Sequence, residues 1–268
     1  MQMPDLKGVR KASENLRDVS IVTPLSLNER LSEKLNSRIF LKREDLQKVR
    51  SFKIRGAFNK IKSLNLENTA DGKKIICASA GNHAQGVAFS CNKLKIYGTV
   101  YMPETTPKQK VERVKMFGGN FIDVVLVGDT FDDAQKEAQH QLNSNSIFIH
   151  PFDDKDVIEG QGTVALEILD QIDKHFDYLV IPIGGGGLIA GIISVFKELS
   201  PKTKIIGVEA EGAPAMTDSL KQNKIIELKK IDNFVDGVSI KKIGKIPFKI
   251  CREYLDDLII VPEGKICQ

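Results

Sequence analysis

The sequence predicts an α/β protein built on two parallel-sheet subdomains with helices on both faces, and three observations carry that expectation. From Lys74 onward, short apolar runs alternate with segments of helical, 3.6-residue periodicity. The apolar runs are apolar on both parities, as in strands covered by helices on both sides. Two of them, ending near Ala78 and Ile183, lead through small-residue turns straight into helix starts. This order fits βαβ units with right-handed crossovers. The break at His150-Pro151-Phe152-Asp153-Asp154 separates a first sheet, within Lys74 to Ile149, from a second one formed by the later strands.

Each element follows from local signals. Val9 to Leu16 reads as an amphipathic helix, broken at Thr23-Pro24-Leu25. Ser26 or Asn28 caps a second helix running to Leu35. Arg38 to Lys42 is a short strand, and Ile54, Phe58, Ile61 and Leu64 share one helical face. Then come strand Ile75 to Ala78, helix Asn82 to Leu94, strand Tyr97 to Met102 and helix Pro107 to Phe117, with its proline early, where it is tolerated. Strand Phe121 to Leu126, helix Thr130 to Leu142 with Asp129 or Thr130 as its cap, and strand Ser146 to Ile149 complete the first sheet. The second part holds helix Val157 to Ile172, strand Tyr178 to Ile183, a helix from Leu188 to Leu199 and strand Lys204 to Val208. A helix near Ala213 to Lys221, a loop through Asp236-Gly237, helix Pro247 to Tyr254 and strand Leu258 to Val261 follow. The ending Lys265-Ile266-Cys267-Gln268 has no terminator and follows closely on a strand, so the chain is expected to be cut short.

Composition narrows the function classes. The net charge of +4 is small and the charged residues are interspersed, which argues against a nucleic-acid-binding stripe. No long apolar segment is present, so no membrane span is expected. The 4 cysteines lack C-x-x-C spacing, and Cys77 and Cys91 fall in apolar runs as buried thiols, a pattern of a reducing cytoplasm. None of the 4 histidines has metal-ligand spacing, so no metal is expected.

Three stretches carry chemistry. Gly184-Gly185-Gly186-Gly187-Leu188 follows a strand and opens a helix, placing unpaired N–H groups and the positive helix end at one point. That is an anion site. One use of it is dinucleotide binding, since Gly185-x-Gly187-x-x-Ala190 has the spacing and Glu209 stands at the end of the next strand. In Ser51-Phe52-Lys53-Ile54-Arg55-Gly56 a lysine lies at a helix N-terminus; it is either a plain surface lysine or, if buried, an amine whose pKa dipole and burial both lower, a workable nucleophile. Ser79-Ala80-Gly81-Asn82-His83 offers N–H groups for a carboxylate, with Asn82 either a donor or a plain helix cap.

In this order and spacing the three stretches resemble the fold-type II pyridoxal-phosphate enzymes, the tryptophan-synthase-β-like architecture, and within them the threonine dehydratase branch. The likeness continues through Thr23-Pro24-Leu25, Leu41 to Asp45, Met102-Pro103, Pro151 to Asp154, Gly160 to Thr163, Gly207 to Glu209, Asp236 to Val238 and Tyr254 to Asp257. It implies a larger subdomain of residues 1–47 and 150–268 and a smaller one of 48–149. It also implies pyridoxal 5'-phosphate on Lys53, with Lys53 taking the Cα proton of the substrate. By the same likeness Phe52 flanks the cofactor ring and Asn82 binds its 3-hydroxyl oxygen. Gly184 to Leu188 wrap its phosphate, and Gly237 joins the cofactor set. Ser79, Ala80, Gly81, Asn82 and His83 form the substrate-carboxylate site.

The implied reaction converts L-threonine, and more weakly L-serine, to 2-oxobutanoate or pyruvate and ammonia, as the first step toward isoleucine, in a cytoplasmic homotetramer. Ala80 stands where the similar serine racemases have a serine, which favours elimination over racemisation. Ala215 stands where relatives with a divalent-metal site carry a carboxylate. Family members continue past Gln268, so weak or absent activity is the expectation for the 268 residues alone. The alternatives are a serine racemase-like enzyme, an NAD-dependent oxidoreductase using Gly185-x-Gly187-x-x-Ala190, and an inactive phosphate-ligand-binding relic.

Overall fold

The computed structural model describes residues 2–66, 73–172 and 175–266. Cys267 and Gln268 lie outside the described residues. Three sheets organise the described residues. A parallel sheet of order β5-β4-β3-β6 comprises β3 (Lys74–Ala78), β4 (Gly98–Met102), β5 (Ile122–Leu126) and β6 (Ser146–Phe148). A second parallel sheet, β7-β8-β9, comprises β7 (Tyr178–Pro182), β8 (Lys204–Ala210) and β9 (Asp257–Val261). The third is a small antiparallel pair, β1 (Leu25–Leu27) with β2 (Phe40–Lys42), in register Leu25 opposite Lys42. Strand β1 corrects the sequence reading, which placed only a helix break there. Asn28, rather than Ser26, caps α2 (Glu29–Leu35), its Oδ1 accepting from Leu31 N at 3.0 Å.

The helices sort by face. On the four-stranded sheet, α4 (Asn82–Leu94) and α5 (Lys108–Gly118) cover one side over Ile75, Cys77, Val100 and Ile122. Helix α6 (Phe131–His140) covers the other over Ile76, Ala78 and Tyr101. Its start is a capping box, Thr130 and Asp133 bonding each other's backbone N–H. On the second sheet, α8 (Gly187–Leu199) and α10 (Lys245–Tyr254) pack on Ile181, Ile183 and Ile205. The opposite face of this sheet is bare among the described residues: Val180 is 63% exposed, Tyr178 60% and Ile259 47%. Helices thus cover both faces of the first sheet, and α8 and α10 cover one face of the second.

Helix α7 (Lys155–Gln171) joins the two halves through glycines on two of its faces. A Cβ at Gly160 would sit 2.6 Å from Arg55 O, on α3 (Lys53–Ser63). One at Gly191 of α8 would sit 2.6 Å from Gly162 N. Backbones that close exclude any side chain, so α3, α7 and α8 form one packed spine. The remaining helices are α1 (Leu6–Asn15) against α7, α9 (Ala215–Lys221) and the short α11 (Glu263–Ile266).

Candidate active site

The site lies where β3, β6 and β7 end, at the carboxyl edge of both parallel sheets, the position ligands take in open α/β folds. Lys53 is the first residue of α3 and Phe52 its N-cap. The Lys53 Nζ donates to Pro151 O at 2.9 Å and stands 5.5 Å from the Phe52 ring centroid. Burial without a counter-ion pushes its pKa down from 10.5 to about 8, so a useful fraction is the neutral nucleophile near neutral pH.

Helix α3 is fixed by Arg55, which is fully buried. Its guanidinium donates to both oxygens of Glu44, each at 2.8 Å, and to Glu167 at 2.6 and 2.9 Å. Thr163 Oγ1 accepts a further bond at 3.1 Å, and Lys42 bonds Glu167 at 2.6 Å. Two carboxylates against two cations, with the oxygens shared among several donors, satisfy the condition for a tolerable buried charge.

The first turn of the site follows β3. Ser79 N donates to Tyr101 O at 3.1 Å and Gly81 N to Ser79 Oγ at 3.2 Å. The donors left for a carboxylate are the Ser79 hydroxyl and the first-turn N–H groups of α4, which have no acceptor within the helix. Gly81 is the N-cap of α4 with no side-chain cap bond, so Asn82 is not a cap; its side chain is exposed at the helix start. A Cβ on Gly86, one turn later, would lie 3.0 Å from Lys53 O, so this turn abuts Lys53.

His83, next to Asn82, points inward. Its Nε2 donates to Ile149 O at 2.9 Å, since a carbonyl can only accept, and its buried Nδ1 has no partner. Burial, and then the Lys53 charge, push its pKa down to about 3. Its ring is neutral and turned toward the core, leaving its backbone N–H as the group able to meet a substrate.

The second turn follows β7. Gly186 has φ +89°, the left-handed region that glycine adopts freely. A Cβ at Gly185 would be 2.3 Å from the Phe152 ring, one at Gly187 2.9 Å from Phe152 Cβ, and one at Gly186 2.6 Å from Pro247 Cβ. Val238 Cα stands 3.0 Å from the corresponding point at Gly184, and Gly244 N donates to Gly185 O at 3.2 Å. The result is a walled cup at the positive end of α8, with Leu188 in its first turn. Gly237, beside Val238, is exposed and would meet nothing within 4 Å.

Two adjacent residues connect the parts. Pro151 O holds the Lys53 amine and Phe152 forms the wall of the cup. Sequence reasoning included Pro151 to Asp154 among the shared motifs but gave Pro151 and Phe152 no part in the site; only contacts spanning 98 residues reveal it. Glu209 is likewise reassigned. Its Oε1 accepts from Met216 N at 2.7 Å, and its Oε2 from Thr217 N at 2.8 Å and Thr217 Oγ1 at 2.7 Å. It caps α9 from a distance and is unavailable to a ribose, which removes the support for the dinucleotide reading. Ala215 is the first residue of that capped helix. Among the described residues no group of three or more metal-capable side chains occurs, and no helix is long and apolar enough to cross a membrane.

A lysine amine facing a glycine cup across one dipeptide defines a class of protein, and comparison with known families names it. The model of the family described as pyridoxal-phosphate dependent enzymes matches residues 16–268, and the chain belongs to that family. It is 55% identical over 257 residues to the L-threonine dehydratase biosynthetic IlvA of Halalkalibacterium halodurans, covering 96% of this chain and 61% of that protein. With the protein of the same name from Bacillus subtilis the identity is 52% over 263 residues, covering 98% and 62%. The chain thus spans about three-fifths of the length of these curated relatives. Among solved structures, the processed form of threonine deaminase isoform 2 from Solanum lycopersicum superposes with a TM-score of 0.88 at 42% identity, covering 97% of this chain and 72% of that one. Maize serine racemase gives 0.90 at 31% identity, covering 99% and 79%.

Proposed function

We propose that this protein eliminates water from L-threonine, and more weakly from L-serine; the enamine released then takes up one water and hydrolyses to ammonia with 2-oxobutanoate or pyruvate. The observation that carries the reading is the Pro151-Phe152 link, which sets a lysine amine of lowered pKa beside a cup too tight for any side chain. These residues fit pyridoxal 5'-phosphate, a carbonyl at one end and a phosphate at the other. When bound, that cofactor supplies an acceptor for the electrons left at the substrate Cα.

The chain's own residues do the rest. Lys53 would hold the carbonyl end, and its amine is the group that would take the proton from the substrate Cα. Phe52 would flank the ring, Asn82 would donate to its 3-hydroxyl oxygen, and Gly237 would belong to the same cofactor-binding set. Gly184 to Leu188 hold the phosphate through N–H groups and the helix dipole. The Ser79 hydroxyl and the backbone N–H groups of Ala80 to His83 orient the substrate carboxylate. Ala80 offers no hydroxyl for returning a proton to the other side of Cα, which supports elimination over racemisation despite the serine racemase likeness.

The division into 1–47 with 150–268 and 48–149 is part of this reading, each part having its own parallel sheet. A small amino acid as the substrate is supported by the relatives, each an L-threonine dehydratase biosynthetic IlvA; a cytoplasmic site of action, a homo-oligomeric state and a place early in isoleucine formation belong to the same reading. The test is direct. Purified protein with added pyridoxal 5'-phosphate is expected to show a visible absorption band and, at a low rate for the 268 residues alone, 2-oxobutanoate release from threonine. Lys53→Ala loses both. A band that survives Lys53→Ala overturns the assignment.

A further inference from the structure

Resting on that cofactor reading, we propose that His150 is the positioning residue that couples the Lys53 amine to the glycine cup. Its Nδ1 accepts two backbone hydrogen bonds, from Phe152 N at 3.2 Å and Asp153 N at 2.8 Å. An atom that accepts twice carries no proton, so the ring is the neutral Nε2–H tautomer. Edge-on rings hold it on two sides, Phe152 at 4.7 Å and Phe148 at 6.3 Å between centroids.

Those two bonds orient the residues that matter. They direct the Pro151 carbonyl, which accepts from Lys53 Nζ at 2.9 Å. They place the Phe152 ring against Gly185 and Gly187. They also place Asp153, whose Oδ1 accepts from Ile246 N at 2.8 Å and so fixes the start of α10, where Pro247 presses on Gly186. Pro151 restrains only its own φ. The direction of its carbonyl depends on its ψ, and the bonds to the flanking N–H groups set that. One acceptor atom therefore orders both ends of the cofactor site.

The inference has a readout that general loss of packing does not produce. Pyridoxal 5'-phosphate engages lysine and cup together, whereas pyridoxal, lacking the phosphate, engages the lysine alone. Visible-absorbance titration of the full chain with each gives an affinity ratio, which for two linked contacts is on the order of 100-fold. In His150→Ala the ratio is expected to fall about tenfold or more, as for other groups that orient a ligating residue. His150→Asn keeps an oxygen acceptor near the Nδ1 position and retains the ratio. His150→Gln is nearer histidine in volume but carries its amide further out, and loses it. If His150→Ala does not fold, the Asn and Gln pair still decides. A ratio unchanged in His150→Gln, or lost equally in His150→Asn, overturns the positioning role. A wild-type ratio near one overturns the cofactor reading itself.

Discussion

The turn after β3 and the turn after β7 use one device to opposite ends. Each runs from a buried parallel strand through small residues into a helix N-terminus. At Gly81 a Cβ would meet nothing within 4 Å, and Asn82 stands exposed. At Gly185 and Gly186 a Cβ would lie 2.3 Å from the Phe152 ring and 2.6 Å from Pro247. On the proposed reading the open turn leaves its donors to a ligand that comes and goes, and the walled turn holds one that stays. A helix end offers unpaired N–H donors in both cases, and the neighbouring chain sets how closed each turn is.

The open turn also carries a titratable anchor that the cup lacks. His83 ionises near 6.5 when unfolded and near 3 in place, because burial and then the Lys53 charge oppose its proton. The unfolded chain binds the extra proton first, so His83's contribution to stability declines as pH falls from 6.5 toward 3. At about 1.36 kcal/mol per pH unit this amounts to at most about 5 kcal/mol. Chemical-denaturation midpoints measured across that range should fall steeply in wild type. His83→Gln, whose amide can still reach Ile149 O, should flatten the slope; an identical slope refutes the assignment.

Both turns rest on the α3–α7–α8 spine, and the next largest effect comes from breaking it. Arg55→Ala leaves Glu44 and Glu167 facing each other in a buried site and is expected to cost about 3–5 kcal/mol in urea unfolding. Gly186→Ala strains a left-handed residue and drives a methyl into Pro247, a loss of about 1–3 kcal/mol. It should also weaken pyridoxal 5'-phosphate binding by absorbance titration more than pyridoxal binding. Gly81→Ala, at φ −123° and with open space, should stay within about 0.5 kcal/mol of wild type. Its signature is a raised KM for the amino acid with cofactor affinity unchanged. Equal effects at Gly81 and Gly186 would dissolve the distinction between the turns.

The Lys53 amine sharpens the contrast on the pH axis. With its pKa near 8 the reactive neutral form grows as pH rises through 8, so the rate of cofactor capture should climb there and not near 10.5. Stopped-flow absorbance over pH 7 to 9.5 checks this, a range set around about one unit either side of the shifted amine.

Local chemistry made most elements legible. Period-3.6 apolar spacing, the Asn28 cap and the Thr130 cap are signals within a few residues of what they specify, and α4 spans the predicted Asn82–Leu94. The stretches proposed to face ligands were legible because glycine runs and helix starts leave unpaired N–H donors by themselves. Strand β1 was missed because three residues carry no period, and only pairing with β2 makes them a strand. Glu209 had the position of a ribose ligand, and only the fold shows its oxygens spent on Met216 and Thr217.

The sequence by itself thus determined most strands and helices, the lysine at the start of α3 and the two helix-end donor sets, since each depends on neighbours along the chain. Tertiary structure alone decided which turn is walled, that His150 and Phe152 join the lysine to the cup, and that Arg55 fixes the helix bearing it. Those depend on groups as far apart as Arg55 and Glu167, 112 residues away along the chain, which only packing brings to 2.6 Å.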